Sequence, residues 1–109
     1  VDRKKYLIKT GGENVYPQEV EQVLLRHEAV AEAAVIGIPD EHWGEAVTAF
    51  IVLKPGHELT RAAIADWVGA HIAGYKKPRY VEFVAALPRN VSGKILKTEL
   101  AGYTAGSTS

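Results

Sequence analysis

Two apolar runs, residues 30–38 and 46–53, constrain the fold of this chain more than any other feature. Both are partly β-branched, and each ends on a turn signal, Pro39-Asp40 after the first and Lys54-Pro55-Gly56 after the second. Runs of this length between turn residues read as strands buried on at least one face. Upstream, Tyr6, Leu7 and Ile8 face Val15 and Tyr16 across Gly11-Gly12, which reads as a short hairpin with a glycine turn. Pro17 suits the first turn of a helix, where its missing N–H is no loss, and Val20, Val23 and Leu24 follow at helical spacing, so a helix is predicted over 17–27. Glu19 and Glu21 lie near the positive end of its dipole.

Thr60 is placed to cap a second helix, in which Ile64, Trp67, Val68 and Ile72 form an apolar stripe and Gly74 is the expected stop. Residues 80–84 read as a third strand. Leu96, Leu100 and Tyr103 suggest a short last helix, and the Gly/Ser/Thr-rich stretch 104–109 is expected to be disordered. The predicted class is α+β, a small three-stranded sheet with flanking helices plus a short N-terminal β-hairpin.

At 109 residues the chain supports one domain, and 47% hydrophobic with 24% charged residues excludes intrinsic disorder and fibrous repeats. No apolar run approaches the roughly 18 residues that a membrane-spanning helix needs, and no signal peptide is legible. With no Cys, disulfides, thiolate metal sites and thiol nucleophiles drop out together. A cytoplasmic location is the default expectation. The chain begins at Val1-Asp2-Arg3 without an initiator Met, which reads as a piece of something longer or as a processed or trimmed chain.

Thirteen basic and thirteen acidic side chains give a net charge of zero, but they are segregated. Arg3, Lys4, Lys5 and Lys9 against Asp2 give residues 1–9 a charge of +3. Residues 10–75 hold ten acids and only Arg26, Lys54 and Arg61, a charge of −7. From residue 76 onward, Lys76, Lys77, Arg79, Arg89, Lys94 and Lys97 against Glu82 and Glu99 give +4. If the fold joins the two basic ends, it makes a local anion site on a neutral body.

The most informative stretch is Leu87-Pro88-Arg89-Asn90-Val91-Ser92-Gly93-Lys94-Ile95-Leu96-Lys97. It is not a phosphate-binding P-loop, because Pro88 stands where the first Gly is required and Ile95 where a hydroxyl must reach magnesium. What remains is a lysine presented on a Ser-Gly turn, with Arg89 and Lys97 placed to attract an anion; a solvated basic hairpin has the same pattern. Trp43 sits in a loop between strands, where an aromatic plugs a core or stacks on a ring. Tyr75-Lys76-Lys77-Pro78 fits a nucleotide-phosphate contact and a solvated turn equally well. His27, His42, His57 and His71 show no metal-ligand spacing, and no Ser lies in a nucleophile elbow.

Taken together, two segments resemble one family. The stretch from Asp2-Arg3-Lys4-Lys5-Tyr6 through Gly11-Gly12-Glu13-Asn14-Val15-Tyr16-Pro17 to Glu21 is similar to the hinge and glycine-loop motif of adenylate-forming enzymes of the acyl-CoA synthetase family. Residues 88–97 resemble that family's closing motif, Pro-Arg/Lys-x-x-x-Gly-Lys. Between them, Ile36-Gly37-Ile38-Pro39-Asp40, Trp43-Gly44-Glu45 and Tyr75-Lys76-Lys77-Pro78 also fit, so the resemblance covers nearly everything except the tail.

The resemblance implies the small C-terminal lid domain over 1–103, with the large N-terminal domain outside this chain. That domain is expected to bind the carboxylic acid, ATP and the accompanying Mg2+. In the implied reaction the carboxylate and ATP give an acyl-adenylate and pyrophosphate, and the thiol of CoA then displaces AMP. Lys94 matches the adenylation lysine, a point charge that stabilises negative charge as it redistributes. Arg3 matches a ribose contact and Lys5 the hinge about which the domain is expected to rotate. Gly11 and Gly12 match the loop lining the pantetheine tunnel, while Trp43, Tyr75 and Lys77 match positions that contact the CoA nucleotide in some relatives. A carrier-protein-dependent adenylation domain and a non-catalytic anion-binding module stay open as alternatives. The chain alone is expected to be inactive.

Overall fold

In the computed structural model, residues 7–42, 44–72, 76–97 and 99–100 are described. The chain opens on a hairpin of β1 (Ile8–Thr10) and β2 (Glu13–Val15), with Thr10 paired to Glu13. Only Gly11 and Gly12 separate the strands, at φ of 58° and 84°. Two consecutive positive φ angles define the type I′ turn, whose twist matches that of the strands it joins.

Helix α1 (Pro17–Leu25) follows, with Pro17 in its first turn as expected. It stops two residues short of the predicted end because the chain tightens there. Arg26 N–H donates to the Val23 carbonyl and His27 N–H to that of Leu24, bonds of the i→i+3 kind that close a helix. The Ala29 amide then donates to His27 Nδ1, turning the chain into the sheet.

Strands β3 (Val30–Asp40) and β4 (Gly44–Leu53) form a long antiparallel hairpin, from Val30↔Leu53 to Asp40↔Gly44. Pro39 does not end β3 as predicted but lies inside it, opposite Glu45. β3 is the last strand in the order β2-β1-β4-β3, and an edge tolerates a residue with no N–H to donate.

Helix α2 (Arg61–His71) is capped by Thr60, whose hydroxyl accepts a bond from the Ala63 amide at 3.0 Å. It ends at His71, short of Gly74, which lies outside the described residues. Ile72 is already extended, yet its side chain still packs on the core. Strand β5 (Tyr80–Phe83) runs parallel to β4, from Thr48↔Tyr80 to Ile51↔Phe83, a pairing that requires the helical crossover between them.

The expected three-stranded sheet with a separate hairpin is thus corrected to one mixed five-stranded sheet. β1 joins β4 through Thr10↔Gly44. The class is α+β. One face of the sheet packs on α1 and α2 through Val35, Val47, Ala49, Ile51 and Val81 against Val20, Val23, Leu24, Ile64 and Val68. The other face, with Ala34, Ile36 and Phe50, is covered by Leu87 and Leu100 of the C-terminal segment. Burial on both faces explains why these strands read as continuous apolar runs. Among the described residues no helix is long and apolar enough to cross a membrane. Tyr103 and the tail lie outside the described residues.

Candidate functional site, the lysine loop

Residues 89–95 form a tight excursion closed at its base by an antiparallel bridge between Arg89 and Ile95 and by a bond from the Leu96 amide to the Pro88 carbonyl. Asn90 organises the interior. Its Oδ1 accepts from the Ser92 amide at 3.0 Å, the Ser92 hydroxyl at 2.8 Å and the Lys94 amide at 3.0 Å. An Asn side chain bonding the amide two residues on is an ordinary way to fix a turn. Gly93 sits at φ 89°, a conformation that disfavours residues carrying Cβ, and so brings Lys94 to the outside of the loop.

Arg89 ties the loop together and to the sheet. Its Nη1 donates to the Gly93 carbonyl at 2.7 Å and its Nη2 to Glu32 Oε1 on β3 at 2.6 Å. On the far side of the loop Lys97 pairs with Glu21 Oε2 at 2.6 Å. The same oxygen accepts the Val35 amide at 2.8 Å, so Glu21 of α1 also satisfies the outer edge of β3. Val91 at the tip is fully exposed.

These pairings correct one expectation. The flanking cations do not stand free to attract an anion, because Arg89 and Lys97 are each neutralised by an acid of the −7 block, and Lys76 pairs with Glu19 in the same way. Lys94 is exposed and makes no ion pair with any described residue. The loop therefore presents, among the described residues, an unpaired ammonium on a fixed backbone.

The other predicted residues fall elsewhere. Gly11 and Gly12 project beyond Thr10↔Gly44, beside the β3–β4 turn, where the Asp40 carboxylate accepts the His42 amide at 2.8 Å. Lys77 lies toward that same end, two residues before Arg79, whose amide donates to the Val47 carbonyl. Its stem crosses Gly69 of α2 so closely that a Cβ there would meet Lys77 Cδ at 2.7 Å. The lysine loop is anchored instead at Glu32, opposite Val52. From Gly44 to Val52 along β4 is roughly 25 Å at about 3.3 Å per residue. The structure thus does not bring Lys94 together with Gly11, Gly12 and Lys77. Arg3, Lys5, Trp43 and Tyr75 lie outside the described residues.

Sequence reasoning missed Glu32 and Glu21, which act across 57 and 76 positions of chain respectively. Asn90 was legible as turn chemistry, two residues ahead of Ser92. Also missed was a cluster in which Trp67 meets His27 edge-on and His71 at a tilt, with ring centroids at 4.7 and 4.3 Å, beside a shallow recess lined by Arg26, His27, Glu28 and Trp67. None of the predicted site residues that are described lines it.

The chain matches known proteins in sequence and in overall fold. The family model described as the AMP-binding enzyme C-terminal domain matches residues 19–94, and the chain belongs to that family. It is similar to the 2-succinylbenzoate–CoA ligase of a Geobacillus species, 50% identical over 100 residues that make up 92% of this chain and 20% of the ligase. It is also similar to the fatty acid–(acyl-carrier-protein) ligase ScoC of Streptomyces coeruleorubidus, 48% identical over 99 residues, 91% of this chain and 19% of that protein. A solved structure of Mycobacterium tuberculosis fatty acyl CoA synthetase superposes with a TM-score of 0.86 at 45% identity, covering 94% of this chain and 20% of that one. The chain therefore spans about one fifth of the length of the relatives it matches.

Proposed function

We propose that this chain is the mobile C-terminal domain, over 1–103, of an ATP-dependent acyl-CoA ligase and that Lys94 is its adenylation lysine. The observation that carries this is the exposed ammonium of Lys94, without an acidic partner among the described residues, on a loop fixed by Asn90 and Arg89. In the first half-reaction a carboxylate oxygen attacks the α-phosphorus of ATP and pyrophosphate departs. A compact cation beside the oxygens involved stabilises the charge moving through that transition state, and it is already aimed before the substrates arrive. In the second half-reaction the thiol of CoA attacks the acyl carbon, the thioester forms and AMP departs.

The separation of Lys94 from Gly11, Gly12 and Lys77 supports a rotation between the two halves, with Lys5 as hinge. One end of the domain serves adenylation. The other offers the glycine turn to the pantetheine arm and Lys77 to the CoA nucleotide; by resemblance Trp43 and Tyr75 are assigned to the same nucleotide and Arg3 to the ribose of ATP. Mg2+ is assigned, with ATP, to the large domain that the resemblance implies.

In the full-length protein, Lys94→Ala is expected to abolish carboxylate-dependent ATP–pyrophosphate exchange while sparing thioester formation from supplied acyl-adenylate. Equal loss of both would sink the assignment. The chain alone is expected to yield no acyl-CoA in the same assay. The similarity to ScoC favours a second reading, in which the acceptor thiol is borne by a carrier protein. Thioester formation with free CoA separates the two. A general anion-binding module is disfavoured by the pairing of Lys76, Arg89 and Lys97 with acids.

A further inference from the structure

The peptide that joins Gly93 to Lys94 is held at both of its polar atoms. Its carbonyl accepts from Arg89 Nη1 at 2.7 Å, and its N–H donates to Asn90 Oδ1 at 3.0 Å. Because a peptide is planar, pinning both atoms fixes the plane from which the Lys94 side chain leaves. Both of those bonds are internal to the loop, and alone they say nothing about where the loop points. Arg89 Nη2 supplies that reference by its 2.6 Å bond to Glu32. A planar guanidinium can hold a loop carbonyl and a strand carboxylate in one rigid fork. Glu32 lies where the β3–β4 register shifts, between Val30 and Glu32, an irregularity of the kind that re-aims a side chain.

We propose that Glu32 is a positioning residue for the adenylation step, acting on Lys94 through Arg89; this rests on the reading of Lys94 given above. The pair is poorly suited to be a stability element, since its side chains are 40% and 39% exposed. Its second effect is electrostatic. By neutralising Arg89, Glu32 leaves Lys94 as the cation of the loop without an acidic partner among the described residues.

The test uses the full-length protein with Glu32→Ala, Glu32→Gln, Arg89→Ala, the Glu32→Ala/Arg89→Ala double variant and Lys94→Ala. It measures ATP–pyrophosphate exchange, with whichever of a panel of aliphatic and aromatic carboxylates the unsubstituted protein activates, and thioester formation from the matching acyl-adenylate. Glu32→Ala is expected to lower kcat for exchange roughly three- to fivefold, the range a half-exposed ion pair can impose, with KM for ATP unchanged. Glu32→Gln, which keeps an acceptor for Arg89, recovers part of the loss. The double variant is no slower than Arg89→Ala, as coupling through one pair requires. Thioester formation and Tm stay as they were. Unchanged exchange in Glu32→Ala, or a parallel fall of both half-reactions with Tm, overturns the proposal. If Lys94→Ala abolishes exchange while Glu32→Ala leaves it intact, only the positioning role fails. Exchange that survives Lys94→Ala removes the reading of Lys94 and this inference with it.

Discussion

Gly37 and Gly12 show two different reasons for glycine. A Cβ on Gly37 would stand 2.9 Å from Ile8 Cγ2 and 3.1 Å from the Glu45 carboxyl carbon, and Ile8 is fully buried. Gly12 has nothing within 4 Å, so its need is the positive φ of the turn. Gly37→Ala is therefore expected to destabilise the chain by about 1–3 kcal/mol through overpacking, read as a lower denaturation midpoint at unchanged m. The turn role of Gly11-Gly12 was legible because two adjacent glycines between β-rich segments have few other uses. The close approach at Gly37 was not, since it depends on β1 passing beside β3 and β4. Lys94 was legible at this scale as a lysine after a Ser-Gly turn, but its lack of an acidic partner among the described residues was not.

The helices were readable where local chemistry governs them. Pro17 opens α1 and Thr60 caps α2, and both act within a few residues of themselves. Where the helices end was misjudged, because the exit toward β3 is set by His27 and by the sheet beyond it. Trp67 was identified as part of an apolar stripe, yet its indole N–H also donates to the Val23 carbonyl at the end of α1, at 2.7 Å. That bond joins two helices 44 positions apart. Trp67→Phe keeps most of the apolar contact and removes the donor, so a loss of about 1 kcal/mol is expected by chemical denaturation. A loss below a few tenths would mean that water replaces the indole.

For the whole molecule, charge and burial tell one story. The segregated charges suggested two exposed basic poles, but folding sets the acids of α1 and β3 against Lys76, Arg89 and Lys97. These contacts are partly solvated and are worth little to stability. The C-terminal segment is held chiefly by apolar contact, Leu87 and Leu100 against the fully buried Phe50. Phe50→Ala should cost about 3–5 kcal/mol. If the segment depends on that face, hydrogen exchange will rise first over 87–100, including the lysine loop. A uniform rise would instead assign Phe50 to the common core.

By itself the sequence determined the element types, the hairpin turn, the helix starts and the turn that carries Lys94, because each rests on hydrophobic period or turn residues. Only the tertiary structure decided that the hairpin and β5 both join β4 in one sheet, which charges cancel, and that the glycine turn and Lys94 lie at opposite ends of it. Those depend on contacts between residues dozens of positions apart, and local preference carries no information about which distant partner a strand edge or a charge will meet.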